Sequence, residues 1–257
     1  MPRTVTATRY VTPLREGGSL PAIVEADDDG LYVAKFRGAG QGSRALVAEW
    51  VAGELARSLD LHVPEVVLLE LDPALGRTEP DTEIRELLRA SAGLNLGVDF
   101  LPGALAFDPL ADPAPDASTA SRVVALDAAL LNVDRTVKNP NLLTWHHELW
   151  CIDHGAALYV HHDWANAAGQ AASPFPAVRS HLLLPWASEL EAMAGLLRAR
   201  WTPALVDHVL HQIPDAWLPA EAGLETPEKQ RGAYRDFLAR RLTAAETFLT
   251  EATRARA

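Results

Sequence analysis

The stretch that decides the fold is Leu130–Val160, LLNVDRTVKNPNLLTWHHELWCIDHGAALYV. Charged and amide side chains stand in it beside many leucines, valines and isoleucines. A buried charge is costly unless it is paired or binds a metal. The stretch is therefore either a solvated loop or a functional site.

Two motifs in this stretch favour a site for phosphoryl chemistry. Asp134 and Asn139 have the Asp-x-x-x-x-Asn spacing of a kinase catalytic loop, in which the aspartate accepts the proton of the substrate hydroxyl and the asparagine binds Mg²⁺. Asp153 is followed two residues later by glycine, as in the Asp-Phe-Gly element that presents an aspartate to the metal, with His154 in place of phenylalanine. These hard oxygen ligands suit Mg²⁺. Asn141 is an alternative to Asn139 as the amide ligand.

The segments NLLTW and ELWCID are predicted to form a hairpin with its turn at HHE. This hairpin would bring Asn139 near the end of the second strand. Within the first motif, Arg135 could contact a phosphate or pair with a nearby carboxylate.

The sequence around an upstream lysine resembles that around the nucleotide-binding lysine of kinases. The runs PAIVEA and LYVAKF read as strands joined by an Asp-Gly turn. The second run resembles the Val-Ala-x-Lys strand of kinases, and Lys35 shares a strand face with Val33. A helix predicted over Arg44 to Leu59 offers Glu49, with Glu54 as the alternative, to pair with this lysine.

A glycine pair precedes these strands. Gly17 and Gly18 lie in REGGSLPA, just before the first hairpin. Because backbone amides of a glycine-rich loop can bind phosphates, this loop is a candidate phosphate contact.

The layout of the chain predicts an α+β fold in two lobes. The first hundred residues read as strands and one helix, with further strands in HVPEVVLLELD and GLNLGVDFLPGAL. The Pro- and Asp-rich segment AFDPLADPAPDA marks a boundary. We therefore expect a β-rich N-terminal lobe over residues 1–105 and a helical C-terminal lobe over residues 106–257, which carries the catalytic loop and the metal site. After the helix that starts at Ser118, we predict helices over Pro185–Arg200, Pro203–Gln212 and Glu228–Thr253.

The motifs NVDRTVKN and IDHGAAL, together with VAKF and VPEV, resemble those of the HipA-like kinases, particularly a short bacterial branch. The resemblance covers roughly residues 15–164. It implies a bilobal protein-kinase-like fold, ATP and Mg²⁺ as cofactors, and phosphoryl transfer of the serine/threonine type, because founding members are serine/threonine kinases that act as growth-arresting toxins. The phosphoacceptor would be a protein or a small molecule, and an antitoxin-like partner is a further expectation.

The resemblance also assigns roles to residues. It implies that Asp134 is the catalytic base, that Asn139 and Asp153 are the metal ligands, and that Lys35 contacts the phosphates. By position, the backbone of VDFLPGA would form the hinge that meets the adenine. Its residues are Asp99, Phe100 and Leu101.

Composition limits the remaining classes of function. The 257 residues carry a formal net charge of −11, which argues against direct binding to nucleic acid or to an anionic membrane. A single cysteine, Cys151, excludes an internal disulfide and a Cys-based zinc finger. Its apolar neighbours predict a buried thiol. No run of about 18 apolar residues is present, and the cytoplasm is the expected location.

Two other functions compete with the kinase interpretation. Five histidines and two aspartates within eighteen residues could bind Zn²⁺ and hydrolyse phosphoesters. Adjacent histidines on a strand face opposite sides, however, so at most half of them could converge. The other competitor is a catalytically inert nucleotide-binding module. The clustered residues are His146, His147, Asp153, His154, His161, His162 and Asp163.

Overall fold

The computed structural model of the chain describes residues 2–14, 20–77 and 79–257. The candidate phosphate loop at Gly17 and Gly18 lies outside these ranges.

Five strands near the start of the chain close into a barrel, in the order β1-β2-β3-β5-β4. Neighbouring strands are antiparallel except for β1 and β4, which run parallel and pair Thr4 with Leu68. Gly97 on β5 is required by close packing, because a Cβ there would lie 2.9 Å from Val67 Cγ2. The barrel strands are β1 (Thr4–Pro13), β2 (Ala22–Ala26), β3 (Leu31–Lys35), β4 (Val66–Leu71) and β5 (Gly93–Asp99).

The predicted β2–β3 hairpin and the helix that follows are confirmed. Helix α1 (Ser43–Ser58) begins one residue before its predicted start and is buried along most of its length. Its apolar residues pack against the outer face of the barrel on one side and against the helices of the C-terminal half on the other. Helix α1 therefore fixes the position of Glu49 relative to both parts of the molecule.

The expectation of one helix among the first hundred residues is wrong. A second helix, α2 (Thr82–Ala90), packs Ile84 and Leu88 into the barrel core. Asp81 caps it by accepting hydrogen bonds from the Glu83 and Ile84 N–H groups. The aspartate cap and the helical spacing of the two apolar residues are the local signals for this helix.

The hairpin predicted after the Asp134–Asn139 loop is also present. Strands β7 (Leu142–Trp145) and β8 (Glu148–Cys151) are joined by His146 and His147, whose φ angles of 50° and 66° are those of a two-residue primed turn. Strand β6 (Leu105–Ala106) completes a three-stranded sheet. The Trp145 Nε1–H donates to the Pro102 carbonyl at 2.9 Å, which ties the hairpin to the segment that leaves the barrel.

Helices make up most of the remaining chain. Helix α3 (Ala117–Leu130) precedes the Asp134–Asn139 loop, and the fully buried Arg241 donates to carbonyls near the C-terminal end of this helix. The helix predicted over Glu228–Thr253 is two helices with a break at Ala244, and the one predicted from Pro185 begins at Leu190. The helices are α3 (Ala117–Leu130), α4 (Ala167–Ala172), α5 (Leu190–Arg200), α6 (Pro203–His211), α7 (Pro227–Thr243) and α8 (Ala245–Arg256).

The single cysteine lies inside the protein, as predicted. Cys151 is buried, and burial raises the pKa of its thiol to about 11. Among the helices of the described ranges, none combines the length and the apolar character that a bilayer crossing requires.

Candidate active site

The two residues of the Asp-x-x-x-x-Asn motif are in direct contact. Helix α3 is followed by Leu131, which has a left-handed backbone (φ 56°), and the chain then turns through a tight loop. The Asn139 Nδ2–H donates to Asp134 Oδ2 at 2.8 Å, and the Asn141 Nδ2–H approaches the same oxygen at 3.4 Å. Within the loop, the Thr136 N–H donates to the Asn139 carbonyl at 2.9 Å. Both asparagines therefore remain candidates for the amide ligand.

The strand lysine meets the second aspartate. Lys35 Nζ donates to Asp153 Oδ1 at 2.7 Å and lies 3.8 Å from Glu49 Oε2. As predicted, Lys35 and Val33 share a face of β3, and both line the same cavity. Burial would lower the pKa of Lys35, but the carboxylates of Glu49 and Asp153 raise it above its ordinary value. Lys35 therefore carries its positive charge between two carboxylates.

Glu49, and not Glu54, is the partner of the lysine. Glu54 pairs with Arg57 one turn further along α1. Glu49 is only 4% exposed, and burial opposes its ionisation. Lys35 and His154 outweigh that burial and hold the pKa of Glu49 down to about 2.

The ion pair predicts how stability depends on pH. The pKa of Glu49 falls from its ordinary 4.5 to about 2 on folding, so its ionisation stabilises the folded state above pH 4.5 and this contribution is lost as the pH falls towards 2. Urea unfolding should show the wild type more stable than Glu49→Gln by a constant margin above pH 5, and by a shrinking margin below it. Glu54→Gln is the matched control on the same helix. A margin that stays constant down to pH 2.5 would contradict the assignment.

A single cavity of about 960 Å³ collects the predicted site residues. Its walls come from the barrel, the start of α1, the Asp134–Asn139 loop and the residues that follow β8. Every predicted site residue within the described ranges lines it. They are Lys35, Glu49, Asp99, Phe100, Leu101, Asp134, Asn139 and Asp153.

One residue that lines the cavity has a backbone N–H group with no partner among the described residues. The Asp99 and Phe100 N–H groups are used inside the protein, donating to the carbonyls of Glu65 at 2.8 Å and Leu31 at 2.9 Å. The next N–H group, that of Leu101, has no hydrogen-bond partner among the described residues. Apolar side chains, including Val33 and Val98, line the same cavity. The combination suits a flat, partly polar group such as a purine.

A family model for HipA-like kinases matches residues 8–247. The chain belongs to the HipA-like kinase family. The fold of this HipA-like chain is similar to the crystal structure of the Helicobacter pylori proinflammatory kinase CtkA, with a TM-score of 0.54 and 14% sequence identity. The similarity covers 96% of this chain and 99% of that one. A comparison with curated proteins finds no match.

Arg135, which follows Asp134 in the chain, does not line the cavity. Arg135 is 1% exposed, and its Nε–H donates to Asp127 Oδ2 at 2.6 Å. Its Nη1 group donates to the carbonyls of Asn141 and, at 3.5 Å, of Ile152. Of the two roles considered for Arg135, pairing with a carboxylate is the one that the structure shows.

The carboxylate partner, Asp127, is a residue that sequence reasoning missed. It lies on α3 and accepts three hydrogen bonds, from Asn132 at 2.9 Å, Arg135 at 2.6 Å and His181 at 3.0 Å. Burial would raise its pKa, but Arg135 and His181 hold the pKa far below its ordinary value. The available signal was one charged residue within the apolar run VVALDAALL.

The histidines of the HipA-like chain lie in separate environments. His146 and His147 form the exposed hairpin turn, and His154 is buried with its Nδ1 atom 3.9 Å from Glu49 Oε1. His161 Nδ1 contacts the Tyr234 hydroxyl at 3.1 Å, and burial lowers the pKa of His161 to about 3. No cluster of three or more metal-binding His, Cys, Asp or Glu residues occurs within the described ranges.

Two residues that line the cavity, Asn139 and Asp153, carry side-chain oxygen atoms suited to Mg²⁺. Asn139 donates through Nδ2 to Asp134, and Asp153 accepts through Oδ1 from Lys35. The other oxygens, Asn139 Oδ1 and Asp153 Oδ2, make no hydrogen bond with the described residues. An amide and a carboxylate oxygen are ligands that Mg²⁺ accepts, and it commonly takes the remainder from water and phosphate. The residues present therefore fit this metal.

Proposed function

We propose that this HipA-like chain is an ATP- and Mg²⁺-dependent phosphotransferase of the serine/threonine type. The observation that carries the proposal is the 2.7 Å contact between Lys35 and Asp153 in a cavity that Asp134 also lines. The barrel would act as the N-terminal lobe (residues 1–105) and the helical part as the C-terminal lobe (residues 106–257). ATP would bind in the cavity between them.

Separate groups of the cavity would bind separate parts of the nucleotide. The Leu101 N–H would donate to the purine, next to the backbone of Asp99 and Phe100. Lys35, oriented by Glu49, would contact the phosphates. Asn139 and Asp153 would hold Mg²⁺, which when bound supplies positive charge against the phosphate oxygens.

Asp134 would act as the catalytic base. Its Oδ2 atom is held by the amides of Asn139 and Asn141, whereas its Oδ1 atom has no partner among the described residues. The acceptor hydroxyl would give its proton to Oδ1 while its oxygen bonds to the γ-phosphorus, and the bond from that phosphorus to the bridging oxygen of ADP would break. Catalysis would rest mainly on positioning and on neutralised charge.

The identity of the acceptor is a separate part of the proposal. Family membership supports a protein serine or threonine as the acceptor and an antitoxin-like protein as the regulator. The charge of −11 favours such partners over nucleic acid.

Ligand-dependent stability and phosphate transfer test the proposal together. We expect ATP with Mg²⁺ to raise the melting temperature by several degrees, ATP with EDTA to raise it less, and γ-labelled ATP to transfer label to a protein substrate or to the chain itself. Stabilisation by Zn²⁺ alone that is lost in His161→Ala or His162→Ala would favour a metallohydrolase. Nucleotide binding without transfer would favour an inert module.

A further inference from the structure

The carboxylate of Asp127 is linked to both proposed catalytic aspartates, through a different oxygen for each. Oδ1 accepts from Asn132 Nδ2 at 2.9 Å, and the Oδ1 atom of Asn132 in turn accepts from the Asp134 N–H at 3.1 Å. We call this chain of contacts the Asn132 arm. It fixes the backbone from which the Asp134 side chain projects.

The second oxygen of Asp127 leads to Asp153. Oδ2 accepts from Arg135 Nε, and Arg135 Nη1 donates to the carbonyl of Ile152 at 3.5 Å. That carbonyl belongs to the peptide group that joins Ile152 to Asp153. We call this chain of contacts the Arg135 arm.

The peptide held by the Arg135 arm controls a sharp change in backbone direction. Asp153 has a φ angle of 52°, in the left-handed region that residues other than glycine rarely adopt. The Ile152 N–H donates to the Asn141 carbonyl at 3.1 Å, and Arg135 donates to that same carbonyl. Ile152 is therefore held through both its N–H and its C=O group, and the direction of the Asp153 side chain follows from that placement.

A third donor orients Asp127 from a distant segment. His181 Nδ1 accepts the Leu183 N–H at 3.0 Å, so the ring proton is on Nε2 and points to Asp127 Oδ2 at 3.0 Å. The Leu182 N–H donates to the Arg135 carbonyl at 3.1 Å. The segment that contains His181 thus packs directly against the catalytic loop.

We propose that Asp127 is a positioning residue that sets the separation of Asp134 and Asp153 through the Asn132 arm and the Arg135 arm. The inference rests on the proposed function, because it assigns Asp134 to the acceptor and Asp153 to Mg²⁺. Buried ion pairs can also be purely structural, or even unfavourable compared with apolar residues. A positioning role can be distinguished from a purely structural one, because the Asn132 arm should affect phosphoryl transfer and the Arg135 arm should affect Mg²⁺-ATP binding.

The test compares Asn132→Ala, Arg135→Lys and the control Arg231→Lys. Arg231 is largely buried and, like Arg135, joins a carboxylate to backbone carbonyls. It donates to Asp215 and to the carbonyls of Leu210 and Ile213, none of which lines the cavity. A misplacement of about 1 Å at a reacting group can cost about 10²-fold in rate. Lysine keeps the charge of arginine but lacks the planar fork that joins Asp127 to the Ile152 carbonyl.

We expect Asn132→Ala to lower kcat about tenfold while the Kd for Mg²⁺-ATP, measured by calorimetry, stays within about twofold. We expect Arg135→Lys to raise that Kd about tenfold while binding of ATP in EDTA is unchanged. Arg231→Lys should lower the melting temperature without changing either parameter. Equal effects of both arms on one parameter, or effects no larger than those of the control, would overturn the inference.

His181 provides an independent test if Arg135→Lys does not fold. His181→Phe should weaken Mg²⁺-ATP binding selectively, and His181→Gln, which keeps a donor, should restore most of it. Unchanged Mg²⁺-ATP binding in His181→Phe would also overturn the inference. A wild-type chain that binds no Mg²⁺-ATP would instead refute the proposed function, so the two failures are distinguishable.

Discussion

Asp153→Ala is expected to abolish Mg²⁺-ATP-dependent turnover, with a loss of about 10³-fold or more in kcat/KM. The substitution removes the carboxylate oxygen proposed for the metal and also the 2.7 Å partner of Lys35. Lys35 would then retain only Glu49, at 3.8 Å, and would no longer be held at the end of β8. This one substitution therefore removes a negative charge from the site and also releases the Lys35 side chain from its closest partner.

Phosphate release from γ-labelled ATP and calorimetry with Mg²⁺-ATP measure this effect. Asp163→Ala is the matched control, because Asp163 is exposed and its side chain makes no hydrogen bond with the described residues. The same control separates the kinase from the histidine- and aspartate-based hydrolase, in which Asp163 would be a ligand candidate. Full activity in Asp153→Ala would show that the metal assignment is wrong.

Asp134→Ala should remove phosphoryl transfer while leaving most of the affinity for Mg²⁺-ATP. General base catalysis contributes about 10²- to 10⁴-fold, and we expect a loss of kcat in that range. In the structure, Asp134 contacts the amides of its own loop and does not contact Lys35, so the phosphate-binding side of the cavity should remain intact. Single-turnover transfer and calorimetry separate the two effects.

Asp134→Asn is the informative companion to this variant. It keeps the shape of the side chain but cannot accept the proton, so its kcat should fall as far as that of Asp134→Ala. An Asp134→Asn enzyme with near wild-type kcat would assign the base to another group. Loss of nucleotide binding in both variants would place Asp134 in the nucleotide site.

Local patterns explain which parts of the fold the sequence predicted. The β2–β3 hairpin, helix α1 and the β7–β8 hairpin each carry their own turn or periodicity signal within about 20 residues. Closure of the barrel does not, because the parallel pairing of Thr4 with Leu68 joins segments with no common local pattern. Helix α2 was missed although Asp81 caps it, since its charged face obscured the apolar positions.

The residues of the candidate site also differ in whether the sequence carries a signal for their contacts. Lys35 and Asp153 are 118 residues apart, and only the order of kinase motifs linked them before the structure was known. Asp127 and His181 belong to no such motif and are 54 residues apart, so their contact had no sequence signal. Glu49 and Glu54 lie five residues apart on α1, which places them about 140° apart around the helix. Which of the two glutamates pairs with Lys35 depends on which face of α1 meets β3.

The parallel seam between β1 and β4 makes the first strand indispensable to the barrel. Without residues 4–13, strands β2 and β4 would each present a row of unsatisfied backbone groups to solvent. Such exposed edges template pairing with other chains. A shortened protein would therefore be prone to self-association through its sheet, even though none of the cavity residues of the catalytic loop had been altered.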